Sequence, residues 1–152
     1  MVSIHLGNPH LALLGFWEEH KVGMYSFDAL QPLKGAADIE VPHVPRSIMA
    51  WSFGSGHHSQ VNLLIGTGNG QLVTLRLNDT RDGIDMSSRR TISLGERPVH
   101  LCTCIADGNS VVMATGSRTV LLSSNKQRIT QHHVNIKVRL VYTCIHTLTF
   151  HP

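Results

Sequence analysis

The stretch 61-VNLLIGTGNGQLVTLRL-77 sets three glycines, Gly66, Gly68 and Gly70, directly behind an apolar run. A phosphate-cradling loop would need a helix after those glycines, because the amides of a helix N-terminus hold the anion. The glycines lead instead into Gln71-Leu72-Val73-Thr74-Leu75-Arg76-Leu77. Val73, Leu75 and Leu77 fall on one face and Thr74 and Arg76 on the other, which is the period of a strand. No Lys-Ser or Lys-Thr pair closes the loop, so the nucleoside-triphosphate form is excluded as well. Asn69-Gly70 between two apolar runs reads as a hairpin with a type I′ turn, in which both central residues take positive φ. Gly66, Gly68, Asn69 and Gly70 are accordingly assigned to turn geometry and to no ligand.

The rest of the composition agrees with a sheet protein. The chain has 152 residues, enough for one domain with a core. Its charged fraction, 15%, and aromatic fraction, 5%, are both low, and Gly, Ser, Thr and Val are abundant. No window carries good helix formers in a 3.6 period; the nearest, Ala29 to Ala37, is broken by Pro32 and Gly35. The formal charge of +3 is spread out, and Arg89-Arg90 is its only adjacent basic pair. A nucleic-acid surface would cluster Lys and Arg with interleaved aromatics. Direct DNA binding is therefore not expected.

Reactive side chains form no constellation. Cys102, Cys104 and Cys144 are odd in number and contain no Cys-x-x-Cys pair; Cys102 and Cys104, two apart on a strand, are poorly placed to bond each other. A reduced, intracellular setting is the inference. No signal peptide opens the chain and no apolar run reaches the length of a membrane span, so a soluble protein without membrane association is expected. The eleven histidines include the adjacent pairs His57-His58 and His132-His133, which on strands point to opposite faces and do not chelate easily. Neither a His-Glu-x-x-His motif nor a zinc-spaced Cys/His quartet occurs. Acids such as Asp28, Asp38, Glu40, Asp79, Asp82, Asp85 and Asp107 lie mostly in expected loops. The reading is no catalytic residues, no metal, no cofactor and no small-molecule substrate: not an enzyme.

Short strands separated by turn signals recur along the chain: 10–17, 21–27, 45–53, 61–66, 71–77, 90–94, 99–105, 110–115 and 119–123. Residues 28–44 read as a loop, as do Gly54 to Ser59 and Asn78 to Ser88, the last with a turn at Asp82-Gly83. A glycine-ended strand, tight turn and strand repeat at 13–25, 63–77 and 111–123. Such spacing suits a sandwich, barrel or propeller, and recurrence every ~45–50 residues is the period of a four-stranded propeller blade. The paired Gly-His and Trp-Asp signature of the commonest WD40 blades is absent.

A series of short motifs adds a resemblance. Gly15-Phe16-Trp17, Leu30-Gln31-Pro32-Leu33, Val44-Pro45-Arg46-Ser47-Ile48, Leu63-Leu64-Ile65-Gly66-x-Gly68-x-Gly70-x-Leu72, Leu94-Gly95-Glu96-Arg97-Pro98-Val99-x-Leu101, Ser117-Arg118-Thr119-Val120 and Ser123-Ser124-Asn125 occur in this order. Over roughly Pro9 to Lys137 the chain resembles the family containing the large subunit of the UV-damaged DNA-binding protein, the large cleavage-and-polyadenylation factor subunit and a splicing-factor subunit. Gly-Phe-Trp and Ser-Ser-Asn lean toward the damage-binding branch. The resemblance implies an all-β, WD40-like partial β-propeller: two to three four-stranded antiparallel blades of a seven-bladed ring, from the second of three propellers. It also implies a non-enzymatic adaptor that links substrate receptors to a cullin-4 ubiquitin ligase in DNA repair and protein degradation, nuclear and also cytoplasmic, touching DNA only indirectly through the intact complex.

On this reading residues 1–8 begin inside a blade, 9–137 form the partial propeller, and 138–152 are a divergent tail. The tail's change of register suggests a truncated or mis-spliced product, or else a divergent strand, and the piece alone is expected to be marginally stable or aggregation-prone. The resemblance places the tryptophan matching Trp17 on the cullin-facing surface, and Arg46 matches an arginine of the same propeller; both are candidate partner-binding residues. Core packing competes as the role of Trp17, and a strand-clamping salt bridge or carbonyl contact as that of Arg46. Arg97-Pro98 is expected to shape a loop. Two other functions stay open: a piece of an RNA-processing relative, and an unrelated small β enzyme, which would need a pocket of converging polar groups.

Overall fold

The computed structural model describes residues 2–5, 10–26, 31–32, 38–53, 60–77, 84–106, 109–125 and 128–134. All regular structure among them is strand, in three four-stranded antiparallel sheets. The first sheet runs in the order β1 (Val2–His5), β2 (His10–Phe16), β3 (Lys21–Ser26), β4 (Ile39–Glu40). The second holds β5 (Pro45–Phe53), β6 (Gln60–Thr67), β7 (Gln71–Leu77) and β8 (Ile84–Ser93). The third holds β9 (His100–Ala106), β10 (Asn109–Thr115), β11 (Thr119–Asn125) and β12 (Arg128–His133).

Each sheet is a simple meander, and their first strands stand side by side: β1 contacts β5, and β5 contacts β9. Strands that lead each sheet at a common hub, with later strands moving outward, make the sheets blades of a partial β-propeller.

The middle blade explains why its strands read as apolar runs as well as alternations. Leu63, Leu64 and Ile65 are all fully buried, because both faces of this blade are covered. Leu63 and Ile65, with Val73, Leu75 and Leu77 of β7, pack against Leu13, Val22, Met24, Ile39 and Val41 of the first blade. Leu64 and Leu72 join Trp51 in a second core with Leu101, Val112, Ala114, Val120 and Leu122 of the third. Strand β5 divides the same way, with Ile48 and Ala50 on the first core and Met49 and Trp51 on the second. This is the two-faced burial of a strand between layers.

Three strands extend the sequence reading: β1, the two-residue β4 and β12. The expected 28–44 loop contains β4, and β8 starts at Ile84, well inside the expected 78–88 loop. β1 lies within 1–8 and pairs with β2 from Val2↔Leu13 to His5↔His10.

Two turn assignments are corrected. The hairpin at 67–71 is a three-residue loop in which only Gly70 has positive φ (82°), and Asn69 does not. It is a type I turn closed by a left-handed glycine rather than type I′. Gly66 lies inside β6, paired with Leu72, and is no turn residue. A Cβ there would stand 2.5 Å from the Val99 carbonyl oxygen, so this glycine permits close approach of two backbones. The 54–59 loop with His57-His58, the Asp82-Gly83 turn, Asp28, Asp79, Asp107, Cys144 and the 138–152 tail lie outside the described residues. Cys102 and Cys104 share one face of β9, half-buried, and neither is in a disulfide. No helix among the described residues is long and apolar enough to cross a membrane.

Candidate functional site

One end of the blades gathers the β2–β3, β6–β7 and β10–β11 turns with the β4–β5 and β8–β9 connections. These segments are tied by a repeating backbone ladder. Val41 N donates to His20 O (2.8 Å) and, one blade on, Leu94 N donates to Gly70 O (2.8 Å). In each case the donor comes after the outer strand and the acceptor is the last residue of that blade's own turn. His20, at φ 52°, takes the left-handed conformation that Gly70 takes in the next blade. The connections also reach forward: Gly68 N donates to Val44 O (2.9 Å) and Arg118 N to Leu94 O (2.9 Å). The surface is thus one hydrogen-bonded layer rather than five independent loops.

The motifs Pro45-Arg46-Ser47 and Leu94 to Val99 are the joints of this layer. In the first, Pro45 pairs with Thr67 and Ser47 with the adjacent Gly66, so Arg46 is the extra residue of a β-bulge. A bulge re-aims its side chain. Arg46 turns to the first blade, where its guanidinium carbon lies 4.8 Å from the centre of the Trp17 ring. Ser47 turns to the third blade and accepts a hydrogen bond from Leu101 N at 3.1 Å. In Leu94-Gly95-Glu96-Arg97-Pro98-Val99, Leu94 and Val99 are fully buried. Between these anchors, Glu96 N (3.1 Å) and Arg97 N (3.2 Å) donate to Ser117 Oγ of the β10–β11 turn, which shapes the Arg97-Pro98 loop.

Trp17 is 58% exposed at the head of the β2–β3 turn and therefore not a core residue. Arg46 is exposed beside it, in a cation–π contact and in no ion pair among the described residues. Glu18 and Glu19 come next in the same turn. Lys21 Nζ lies 3.6 Å from Glu19 Oε2 and 3.8 Å from Asp38 Oδ1, loose surface pairs of little energetic weight. Alongside, the His20 and His43 rings stack at 5.4 Å and 17°, with Gly68 beneath His43. Of the residues singled out from sequence, Trp17 and Arg46 come together. Gly68, Asn69 and Gly70 lie on the same surface, Thr67 Oγ1 standing 2.7 Å from Asn69 Oδ1 and accepting from Gln71 N at 3.1 Å. Ser47, Ser117 and the His20–His43 stack received no role from sequence. The two serines sit inside the family motifs, and that placement is the one sequence signal they carry.

An exposed indole, a guanidinium stacked on it and flanking carboxylates are suited to recognising another protein, since Trp and Arg are favoured interface anchors. Among the described residues no three His, Cys, Asp or Glu side chains converge as a metal site.

Comparison with known proteins identifies the fold family. A family model described as the RSE1/DDB1/CPSF1 second beta-propeller matches residues 1–144. Arabidopsis thaliana DNA damage-binding protein 1b is 29% identical over 133 residues, 86% of this chain and 12% of that protein. DNA damage-binding protein 1a of the same plant is 28% identical over 134 residues, 86% and 12%. DNA damage-binding protein 1 of Oryza sativa subsp. japonica is 26% identical over 127 residues, 84% and 11%. The chain spans about a tenth of the length of these curated relatives.

Proposed function

The chain belongs to the RSE1/DDB1/CPSF1 second β-propeller family, and from that premise we propose that it is a non-enzymatic docking platform of a damage-binding protein. Its turn surface receives a cullin-4 family scaffold, and the protein of which it is part connects substrate receptors to that ubiquitin ligase, in the nucleus and also in the cytoplasm. DNA is met only through the assembled complex. The observation that carries this reading is the exposed Trp17 ring with Arg46 stacked on it, held on a hydrogen-bonded layer of turns.

The layer supplies preorganisation, so a partner does not have to order the surface on binding. Trp17 supplies a large rigid contact area. Arg46 fixes the ring from one side and keeps donors available for a carboxylate or carbonyl. Ser47 and Ser117 join the second blade to the third, and the Gly68–Val44 bond ties the second to the connection from the first, so three blades present one face.

Co-purification with the tagged full chain tests the assignment. A cullin-4 family protein in the eluate is the expected result. Recovery of splicing or polyadenylation factors in its place would assign the chain to its RNA-processing relatives, and turnover of a small molecule without partners would overturn the scaffold reading.

A further inference from the structure

At the other ends of the strands, a cleft of about 260 Å³ opens between the second blade and β12 of the third. It lies on the face of the second blade that elsewhere carries Leu64, Leu72 and Trp51. By strand alternation Asn62 shares that face with Leu64, where a leucine would extend the core. Its side-chain Nδ2 is buried with no hydrogen-bond acceptor among the described residues, and the residue is only 6% exposed. A buried donor left unsatisfied is unfavourable, and the residue that carries it lines the cleft.

The rim has the charge to match. Arg76 and Arg90 both line it, and Arg90 pairs with no carboxylate among the described residues. Asp85 also lines the rim, with one carboxylate oxygen engaged: Oδ1 accepts from Ser87 N at 3.0 Å and from the Ser87 hydroxyl. These bonds, the Ser87 hydroxyl first, hold its carboxyl below the usual range, and Arg76 adds to the effect. The wall is built for the purpose by a bulge. Thr74 pairs with Arg90 and Arg76 with Asp85, so residues 86–89 of β8 loop out of the ladder. Ser88 Oγ closes the loop, accepting from Arg76 N at 2.8 Å and donating to Asp85 O at 2.6 Å.

We infer that this cleft receives an acidic side chain of a docked polypeptide, its carboxylate accepting from Asn62 Nδ2 and the Arg90 guanidinium. The volume suits a side chain and is below that of typical small-molecule pockets. Among the described residues Arg90 brings one positive charge that no carboxylate answers, which suits a carboxylate rather than a phosphate dianion. Ile92 and Ile129 line the cleft for the aliphatic stem, and Met86, exposed on the bulge, offers an apolar shelf to flanking chain. This site is separate from the Trp17 surface and does not depend on it.

The test is fluorescence anisotropy of a labelled, end-blocked hexaglutamate peptide titrated with the full chain, with hexaglutamine as control. Wild type binds hexaglutamate and not hexaglutamine; Asn62→Leu and Arg90→Gln each weaken binding about tenfold or more, while Trp17→Ala leaves it unchanged. Asn62→Leu melts at or above the wild-type temperature, because leucine continues the apolar face. Should that variant fail to fold, exposed Arg90 carries the test. No binding by wild type, equal binding by Arg90→Gln, or displacement by inorganic phosphate at lower concentration than by free glutamate would each overturn the inference.

Discussion

The guanidinium of Arg46, on the second blade, is stacked on the indole of Trp17, on the first, at 4.8 Å. It reaches across the seam because the bulge at Pro45–Ser47 removes Arg46 from the strand ladder. The contact is exposed, so its own contribution to stability is small. A thermodynamic double-mutant cycle with Trp17→Ala and Arg46→Ala, measured by chemical denaturation, should give a coupling of about 0.5–1 kcal/mol. A coupling of several kcal/mol would show instead that the pair holds the blades together.

The three glycines of the decisive stretch should respond differently to alanine. Gly70→Ala forces a positive φ of 82° on a side chain and drives its Cβ into the Gly95 carbonyl, and should cost at least about 1–3 kcal/mol. Gly66→Ala meets the Val99 backbone and should be comparably damaging. Gly68→Ala meets only the end of the His43 ring, at 2.9 Å from Nδ1, which can swing away, so it should be the mildest of the three. Thermal melts of the three variants rank them; Gly68→Ala as the worst would contradict the geometry.

Adjacent leucines serve different seams. Leu63→Ala and Leu64→Ala should each cost about 2–5 kcal/mol. Amide exchange should separate them, because Leu63 packs with Val22 and Met24 of the first blade and Leu64 with Leu101 and Val112 of the third. Loss of protection in β3 with the first variant, and in β9 and β10 with the second, is expected. Identical exchange patterns would mean that the blades do not open separately.

Asp85 predicts a pH signature. Its carboxyl is lowered in the folded protein, chiefly by the Ser87 hydroxyl. The ionised form is therefore bound more favourably by the native than the unfolded chain. Its contribution is complete above the unfolded value of about 3.9 and fades as pH falls through the lower folded value. The melting-temperature difference between wild type and Asp85→Asn should be constant above about pH 5 and shrink in the acid range. A difference that grows toward acid would reverse the sign and refute the assignment.

Much of this architecture is legible in the sequence because its signals are local. The Asn69-Gly70 hairpin, the Val73-Leu75-Leu77 alternation and the two repeats of that unit each lie within one blade segment. What escapes such reading depends on neighbours far along the chain. Strand β4 is two residues long, set just before Pro42, and is held by pairing with Lys21 and Val22 and by the Val41–His20 bond. Strand β12, Arg-Ile-Thr-Gln-His-His, is an outer strand too polar to announce itself. The start of β8 hides in Asp-Met-Ser-Ser, which looks like a loop and is a bulge because Asp85 and Ser88 bond back to it. At the candidate site, residue types suggest Trp17 and Arg46 one by one, but their contact needs a bulge and a second blade. The polar Asn62 resembles ordinary strand alternation, and only the cleft beside it sets it apart.

The central claim, that the Trp17–Arg46 surface is where a partner docks, is tested most directly by quantifying cullin-4 family protein co-purified with wild type and with the Trp17→Ala/Arg46→Ala double variant, both shown to melt alike. Loss of the cullin by tenfold or more, equivalent to about 1.4 kcal/mol, with an unchanged melt is the expected result. Equal recovery from the two proteins would contradict it.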